Sequence, residues 1–341
     1  MEPVTHFLTG ACLGRAGLNR ATGLATLTLA LATEAPDIDF ATFIGGSVAN
    51  LEHHRGITHT LLGAPFVAAL TLGIVYGIYR VMMSRQWKIK QPPKWKLLYL
   101  YALFGCLLHI LMDFLNNYGV RPFAPFYPRW FSWDVLFIVD PTVLVLLFFG
   151  LVTPGLFSLV TEEIGAHKPE FRGRGGAITA LALVVVLIGF RDFEHRKAVN
   201  ALNSLTYHDE EPVRASAFPN PMNPFLWNGV VETQDFFETV SVDTLAAEVD
   251  PQGTASIRYK PEETPVTLAA KKSRLGRVYL DWSQYPLVEA DRMPDGKSYK
   301  VQFLDLRFMN LAAIRRSPVL AGYVILDANL KVLDMYVGEQ K

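Results

Sequence analysis

Seven side chains with metal-donor chemistry recur through the apolar first half of the chain. They are His6, Asp37 and Asp39 in "APDIDF", His54 and His59 in "HHRGITHT", and His109 and Asp113 in "LLHILMDFLNN". Neutral imidazole combined with carboxylate suits zinc, manganese or iron better than calcium or magnesium alone. The set is larger than the three or four ligands of a single-ion site. It predicts one or two divalent transition-metal ions, zinc first, with manganese or iron as alternatives. Two ions about 4 Å apart, bridged by a carboxylate, would use all the donors and activate a water for phosphoester hydrolysis. Arg55, inside the second motif, is the natural clamp for an anionic oxygen.

The spacing of these residues says how they would converge. His109, Asp113 and Asn117 recur every four residues and form one stripe on an otherwise apolar helix. Asn117 and Arg55 are therefore the candidate catalytic residues beside the donors. Ionisable groups at such depth normally face a bundle interior and pair or bind something. His54 and His59 are five apart and fall on different faces of a continuous helix. Gly56 predicts a turn between them, with Thr58 capping a helix that begins near His59, so both imidazoles can meet. Pro36 stops the preceding helix and leaves Asp37 and Asp39 on one side of an extended segment. Plainer readings stand beside these. His6 serves equally well as an interfacial residue, and the two aspartates as helix caps or loop polarity. Asp134 and Asp140 read as caps or supporting contacts, His53 as a solvated neighbour, and His167, His195 and His208 as surface residues.

These residues need a scaffold that puts them at one level. Stretches 60–79, 97–115 and 135–160 are long enough, or nearly so, to cross a bilayer, which takes about 20 apolar residues. Residues 175–190 are uncharged and near the lower limit. Two shorter apolar pieces, 7–14 and 21–33, flank Arg15 and Arg20 and predict a helical hairpin that crosses only in part. The fold expected is thus an α-helical membrane domain over 1–190, with about four spans plus an N-terminal hairpin. A juxtamembrane helix and hinge follow over 191–220, then a β-rich soluble domain over 221–341. Arg80, Arg85, Lys88, Lys90, Lys94 and Lys96 crowd one connection and mark it as cytoplasmic, and Lys168, Arg172 and Arg174 mark the next one. The donors then gather at the outer face, and everything after Phe190 is extracytoplasmic.

The C-terminal part alternates in the manner of antiparallel strands, in "WNGVVET", "FFETVSV", "ASIRYK", "RVYLDW", "LVEADRM", "YKVQFLDLRF" and "LAGYVILDANLKVLDMYVG". "PDGK" and "DANLK" supply turns, and "FPNPMNPF" reads as the hinge. Lysine and arginine balance aspartate and glutamate at 32 each, which gives no global signal for nucleic acid. Cys12 and Cys106 form no CxxC pair, which argues against a zinc-thiolate site and a disulfide framework. No basic segment precedes the first apolar stretch, so no cleavable signal peptide is expected.

Taken in order, "PDID", "HHRGITHT" and "HILMD" resemble a family of bacterial inner-membrane proteins, the YdjM-like, LexA-binding-associated group described as membrane-bound metal-dependent hydrolases. That pattern has an early histidine, Pro-Asp-x-Asp, His-Arg-Gly-x-Thr-His-Ser/Thr and a later His-x-x-x-Asp. Here it falls on His6, on Asp37 and Asp39, on residues 54–60, and on His109 with Asp113. The resemblance covers about the first half of the chain. It implies a helical, multi-pass protein of the cytoplasmic membrane and a metal-dependent hydrolase, and it supplies no substrate. The His-x-x-x-Asp helix is also similar to one in zinc-dependent phospholipases C, an analogy that points to phosphoester cleavage. The function expected is hydrolysis of a membrane lipid or lipid-linked phosphoester at the outer face of the membrane. The alternative is a non-enzymatic scaffold or sensor with a structural metal. A transporter ranks last, because the polar residues cluster at one end of the spans.

Overall fold

Apolar runs of some twenty residues without β-branched alternation satisfy their backbone polar groups as helices, and the first half of the chain is built of them. The computed structural model describes residues 1–89, 91–163, 173–313 and 320–338. Lys90, His167, Lys168 and Arg172 lie outside the described residues. The helices are α1 (Pro3–Ala16), α2 (Ala25–Ala32), α3 (Ser47–His53), α4 (Ala64–Ser84), α5 (Trp95–Phe114), α6 (Pro141–Glu163) and α7 (Arg174–Asn203). Among the described residues, α4, α5 and α7 are long and apolar enough to cross a membrane, and α6 contributes the shorter apolar piece Pro141–Thr153.

Several boundaries differ from those the sequence suggests, each for a local reason. Helix α4 begins at Ala64 rather than near His59, because Thr60 and not Thr58 organises its start. The Thr60 hydroxyl donates to the Ile57 carbonyl and accepts from the Gly63 N–H, both at 2.8 Å. His59 instead closes a short 3-10 turn, Ile57–His59. Helix α5 stops at Phe114, so Asn117 is not on it. The stretch from Val135 to Asp140 is irregular rather than helical, with the Val135 and Leu136 N–H groups donating to the Leu115 carbonyl at 3.0 Å. Helix α6 starts only at Pro141, where the Asp140 carboxylate accepts from the N–H groups of Thr142 and Val143. Asp37 and Asp39 sit in a 3-10 run, Ala35–Gly45, not in an extended segment.

The chain divides into two compact units. One comprises Met1–Asp39 and Arg55–Phe193, the other Phe40–His54 and Glu194–Lys341. In the first, α1 lies close against α2 through the small face Gly10-x-x-x-Gly14. A side chain at Gly10 would collide with the Leu29 carbonyl, and one at Gly14 with Thr26. One core group holds Cys12, Met112, Leu136 and Leu147, and another holds Ala32, Ala64, Ala68, Ala102 and Cys106.

In the second unit, strands β1 (Arg214–Pro219), β2 (Leu226–Glu232), β3 (Phe236–Asp243), β4 (Glu248–Val249) and β5 (Ser256–Tyr259) form an antiparallel sheet. After α8 (Pro265–Lys272) and α9 (Arg274–Trp282), strands β6 (Pro286–Arg292), β7 (Ser298–Asp305), β8 (Gly322–Asp327) and β9 (Val332–Val337) form a four-stranded meander. Alternation on β2 sends Trp227 and Val231 toward Ala198 and Leu202 of α7, while Val230 joins Tyr285, Leu287 and Leu304 between the sheets. The "FPNPMNPF" segment is no hinge before the sheet. Its first residues end β1 and the rest turns into β2.

Candidate metal centre

Helix α5 buries one long face, Leu98, Ala102, Cys106, His109 and Asp113, so its two ionisable residues end an apolar stripe one turn apart. The 3-10 turn at Ile57–His59 and the 3-10 run from Ala35 bring His59 and Asp37 to the same point. His59, His109 and Asp113 are fully buried and Asp37 is 9% exposed. The four residues can each offer an atom to one shared centre.

The donor spacing is that of a coordination shell. His59 Nε2 lies 3.0 Å from His109 Nε2, 3.3 Å from Asp37 Oδ1 and 3.5 Å from Asp113 Oδ2. His109 Nε2 lies 3.6 Å from the same Asp37 oxygen and 3.5 Å from the same Asp113 oxygen. Four donors about 2.0–2.1 Å from a tetrahedral zinc stand about 3.3–3.4 Å apart. Both rings turn Nε2 inward as a lone pair, because Nδ1 is engaged elsewhere. His109 Nδ1 donates to the Thr33 carbonyl at 2.7 Å, and His59 Nδ1 meets Asp39 Oδ2 at 3.1 Å. Asp113 Oδ2 and Asp37 Oδ2 are buried with no hydrogen-bond partner among the described residues. Two imidazole lone pairs and two carboxylates packed this closely out of water call for a cation, and these residues fit one.

A second layer of contacts fixes this arrangement. Asp39 accepts from the Arg55 N–H at 2.8 Å and from the Thr58 hydroxyl at 3.1 Å while it holds His59. Arg55, in the left-handed region at φ 53°, is itself buried. Its Nη2 donates to Asp113 Oδ1 at 2.9 Å, and Nη1 donates to Asn116 Oδ1 at 3.1 Å and the Gly119 carbonyl at 2.8 Å. The guanidinium also stacks 4.6 Å above Tyr118. Burial lowers the Arg55 pKa to about 10, against the opposing pull of Tyr118, Asp37 and Asp39, so it stays charged at neutral pH.

The predicted residues thus take distinct places. His59, His109, Asp113 and Asp37 supply the inward atoms, and Asp39 and Arg55 brace them. His6 stacks on His109 with ring centroids 3.8 Å apart, and its Nε2 is 3.4 Å from Asp113 Oδ1. Both its ring nitrogens are buried without a hydrogen-bond partner among the described residues. The Met1 amino nitrogen also hydrogen-bonds Asp113 Oδ1. His54 belongs to the second unit, where it ends α3 with its ring 4.6 Å from Phe40. Asn117 is buried in the turn beyond α5. Asp140 caps α6 and pairs with Arg191 at 3.2 Å. His195 is half-buried against Trp227 rather than at the surface. Sequence reasoning missed Asn116, which donates to Asp113 Oδ1 at 3.3 Å while accepting from Arg55. A four-residue stripe continued past the helix end selects its neighbour instead. It missed the Thr33 carbonyl as well, since a backbone oxygen leaves no mark on a sequence.

Residues 1–198 match the profile of the family described as YdjM inner membrane protein. The chain is also 24% identical over 321 residues to "Uncharacterized protein YfhP" of Bacillus subtilis (strain 168), an alignment spanning 90% of this chain and 87% of that protein. No solved structure matches.

Proposed function

The chain belongs to the YdjM inner membrane protein family, and on that premise we propose that it is a metal-dependent hydrolase of a lipid or lipid-linked phosphoester, working at the outer face of the cytoplasmic membrane. One observation carries the reading: the buried quartet of Asp37, His59, His109 and Asp113, with donor atoms 3.0–3.6 Å apart along five of its six edges. A divalent cation held there supplies Lewis-acid stabilisation of phosphoryl charge and an activated water. Zinc suits two imidazoles and two carboxylates in a four-donor shell. The chain's own residues prepare the site. Asp39 and the Thr33 carbonyl fix the two imidazoles with Nε2 inward, and Arg55 with Asn116 aims Asp113 by occupying its other oxygen. The basic connection between α4 and α5 supports an outward orientation, because it puts the start of α4 and the end of α5 on the far side of the membrane.

The test is metal analysis and turnover on the same full-length protein in detergent. At least one zinc, manganese or iron ion should copurify per chain. Chelation should abolish hydrolysis of a phosphodiester amphiphile panel, and adding back the metal should restore it. Verified metal-free protein that keeps its full rate sinks the reading.

A second reading, a non-enzymatic scaffold or sensor with a structural ion, is favoured by the donor count. Four protein donors, none more than 9% exposed, complete a tetrahedron, whereas catalytic zinc keeps an open position. It predicts a metal-loaded chain without turnover whose stability falls on chelation, by about 2.7 kcal/mol if the ion had been present at about 100 times its Kd.

A further inference from the structure

Beside the metal centre runs an apolar groove of about 300 Å³, at the small end of ligand sites. One end is made by Ile38, Ile57 and Thr58. Ile38 stands between Asp37 and Asp39, and Thr58 directly precedes His59, so this end is built from chain neighbours of the centre. From there the groove passes Leu62, just before α4, and follows the helix along Phe66 and Leu70, four residues apart on one face. The helical stretch from Ala64 to Leu70 covers about 9 Å at 1.5 Å per residue. Gly63 lines it too and keeps it tight to the 3-10 turn, since a Cβ there would stand 1.9 Å from the Ile57 carbonyl oxygen. Its hydroxyl, on Thr58, already donates to Asp39.

We propose that this groove holds the hydrocarbon chain of a single amphiphile whose phosphodiester head group lies at the metal centre. The lining offers a polar ligand nothing to bind, and its helix is one of membrane length, so hydrocarbon is what surrounds it. A partner helix fits poorly. Of the small residues of α4, Ala64 and Ala68 are already buried in the core with Ala102 and Cys106, and the exposed Ala69, Gly73 and Gly77 follow a different row of the helix from the groove side, where Phe66 projects at 73% exposure. Close helix approach in a bilayer relies on small side chains. Moving a chain from bilayer to groove gains no hydrophobic energy, because lipid tails are as apolar as leucine. Occupancy is therefore set by the head group, and the groove decides where the tail lies. The assignment rests on the hydrolase reading for the chemistry of the head group and not for the tail.

The experiment uses the full-length protein in nanodiscs of digalactosyldiacylglycerol, a bilayer lipid without a phosphodiester. A trace of single-chain phosphodiester amphiphile carries a diazirine in its tail, and adducts are mapped by mass spectrometry. Labelling across Leu62, Phe66 and Leu70 should fall by more than half when excess unlabelled amphiphile competes, and again in Leu70→Trp, which fills the groove from an exposed position. Labelling at Val81, exposed on the same helix, should respond to neither. Equal, non-saturable labelling at both places overturns the proposal. Metal content of Leu70→Trp reports an intact centre, and the wild-type competition stands without the variant. Turnover is read from the same discs. Saturable labelling without turnover rejects the hydrolase and keeps the groove, while turnover without saturable labelling does the reverse.

Discussion

His59 has two jobs on one ring, Nε2 facing the donors and Nδ1 held by Asp39, and the second sets the quality of the first. Asp39→Asn should therefore weaken metal binding about 10–100-fold without abolishing it. Competition against a chromophoric chelator measures this directly. Asp113→Ala should abolish binding outright, because it removes an inward oxygen and leaves the Arg55 guanidinium buried without its carboxylate. Equal affinity in Asp39→Asn and wild type would place Asp39 outside the support of the site. His59, His109 and Asp113 were legible in the sequence because an ionisable side chain inside an apolar run needs a reason to be there. The role of Arg55 was not. An arginine in a histidine motif reads as an anion clamp, and only the fold reveals that both its terminal nitrogens serve Asp113, Asn116 and Gly119.

Among the elements, long apolar helices and alternating strands were readable and the short irregular pieces were not. "RVYLDW" has the composition of a strand, yet Leu275, Tyr279 and Trp282 recur at helical spacing and bury one face of α9 under the Ser273 cap. The turns that deliver Asp37 and His59 are 3-10, set by backbone bonds that no periodicity announces. The end of β7 carries a separate prediction. Asp305 accepts from Ser283 at 2.6 Å and from Arg307 Nη2 at 2.7 Å, deep in the core. Burial raises its pKa, but the Arg307 charge and these bonds override that and hold it below the ordinary value. A folded-state pKa under the unfolded one contributes stability that is complete above the unfolded value, about 3.9, and is lost as pH falls through the folded value. Acidification below about pH 4 should thus loosen this region. Asp305→Asn should flatten that acid limb and cost about 3–5 kcal/mol at neutral pH. Trp282, whose carbonyl accepts from Arg307, is the local fluorescence reporter.

For the molecule as a whole, the proposed orientation puts the C-terminal unit outside the cytoplasm. An alkaline phosphatase fused after Lys341 should then be active and a green fluorescent protein there dark, and the opposite pattern would invert the topology. The division into a helical first half and a β-rich second half was plain from composition. The excursion of residues 40–54 into the second unit was not, because nothing in a short segment with one brief helix tells which core will bury its apolar side chains. That loop leaves at Asp39 and returns at Arg55, two residues joined by a hydrogen bond. Within its unit, Glu52 pairs with Arg274 at 2.5 Å, and the Ser47 hydroxyl accepts from the Val337 N–H at 2.9 Å. Ser47 and Val337 are 290 residues apart, which at about 5–20 residues per second of synthesis is roughly 15–60 s. A ribosome thus delivers every donor of the metal centre well before it delivers the strand that pins the adjoining loop. The nascent chain can complete that candidate centre first and tie down the loop last.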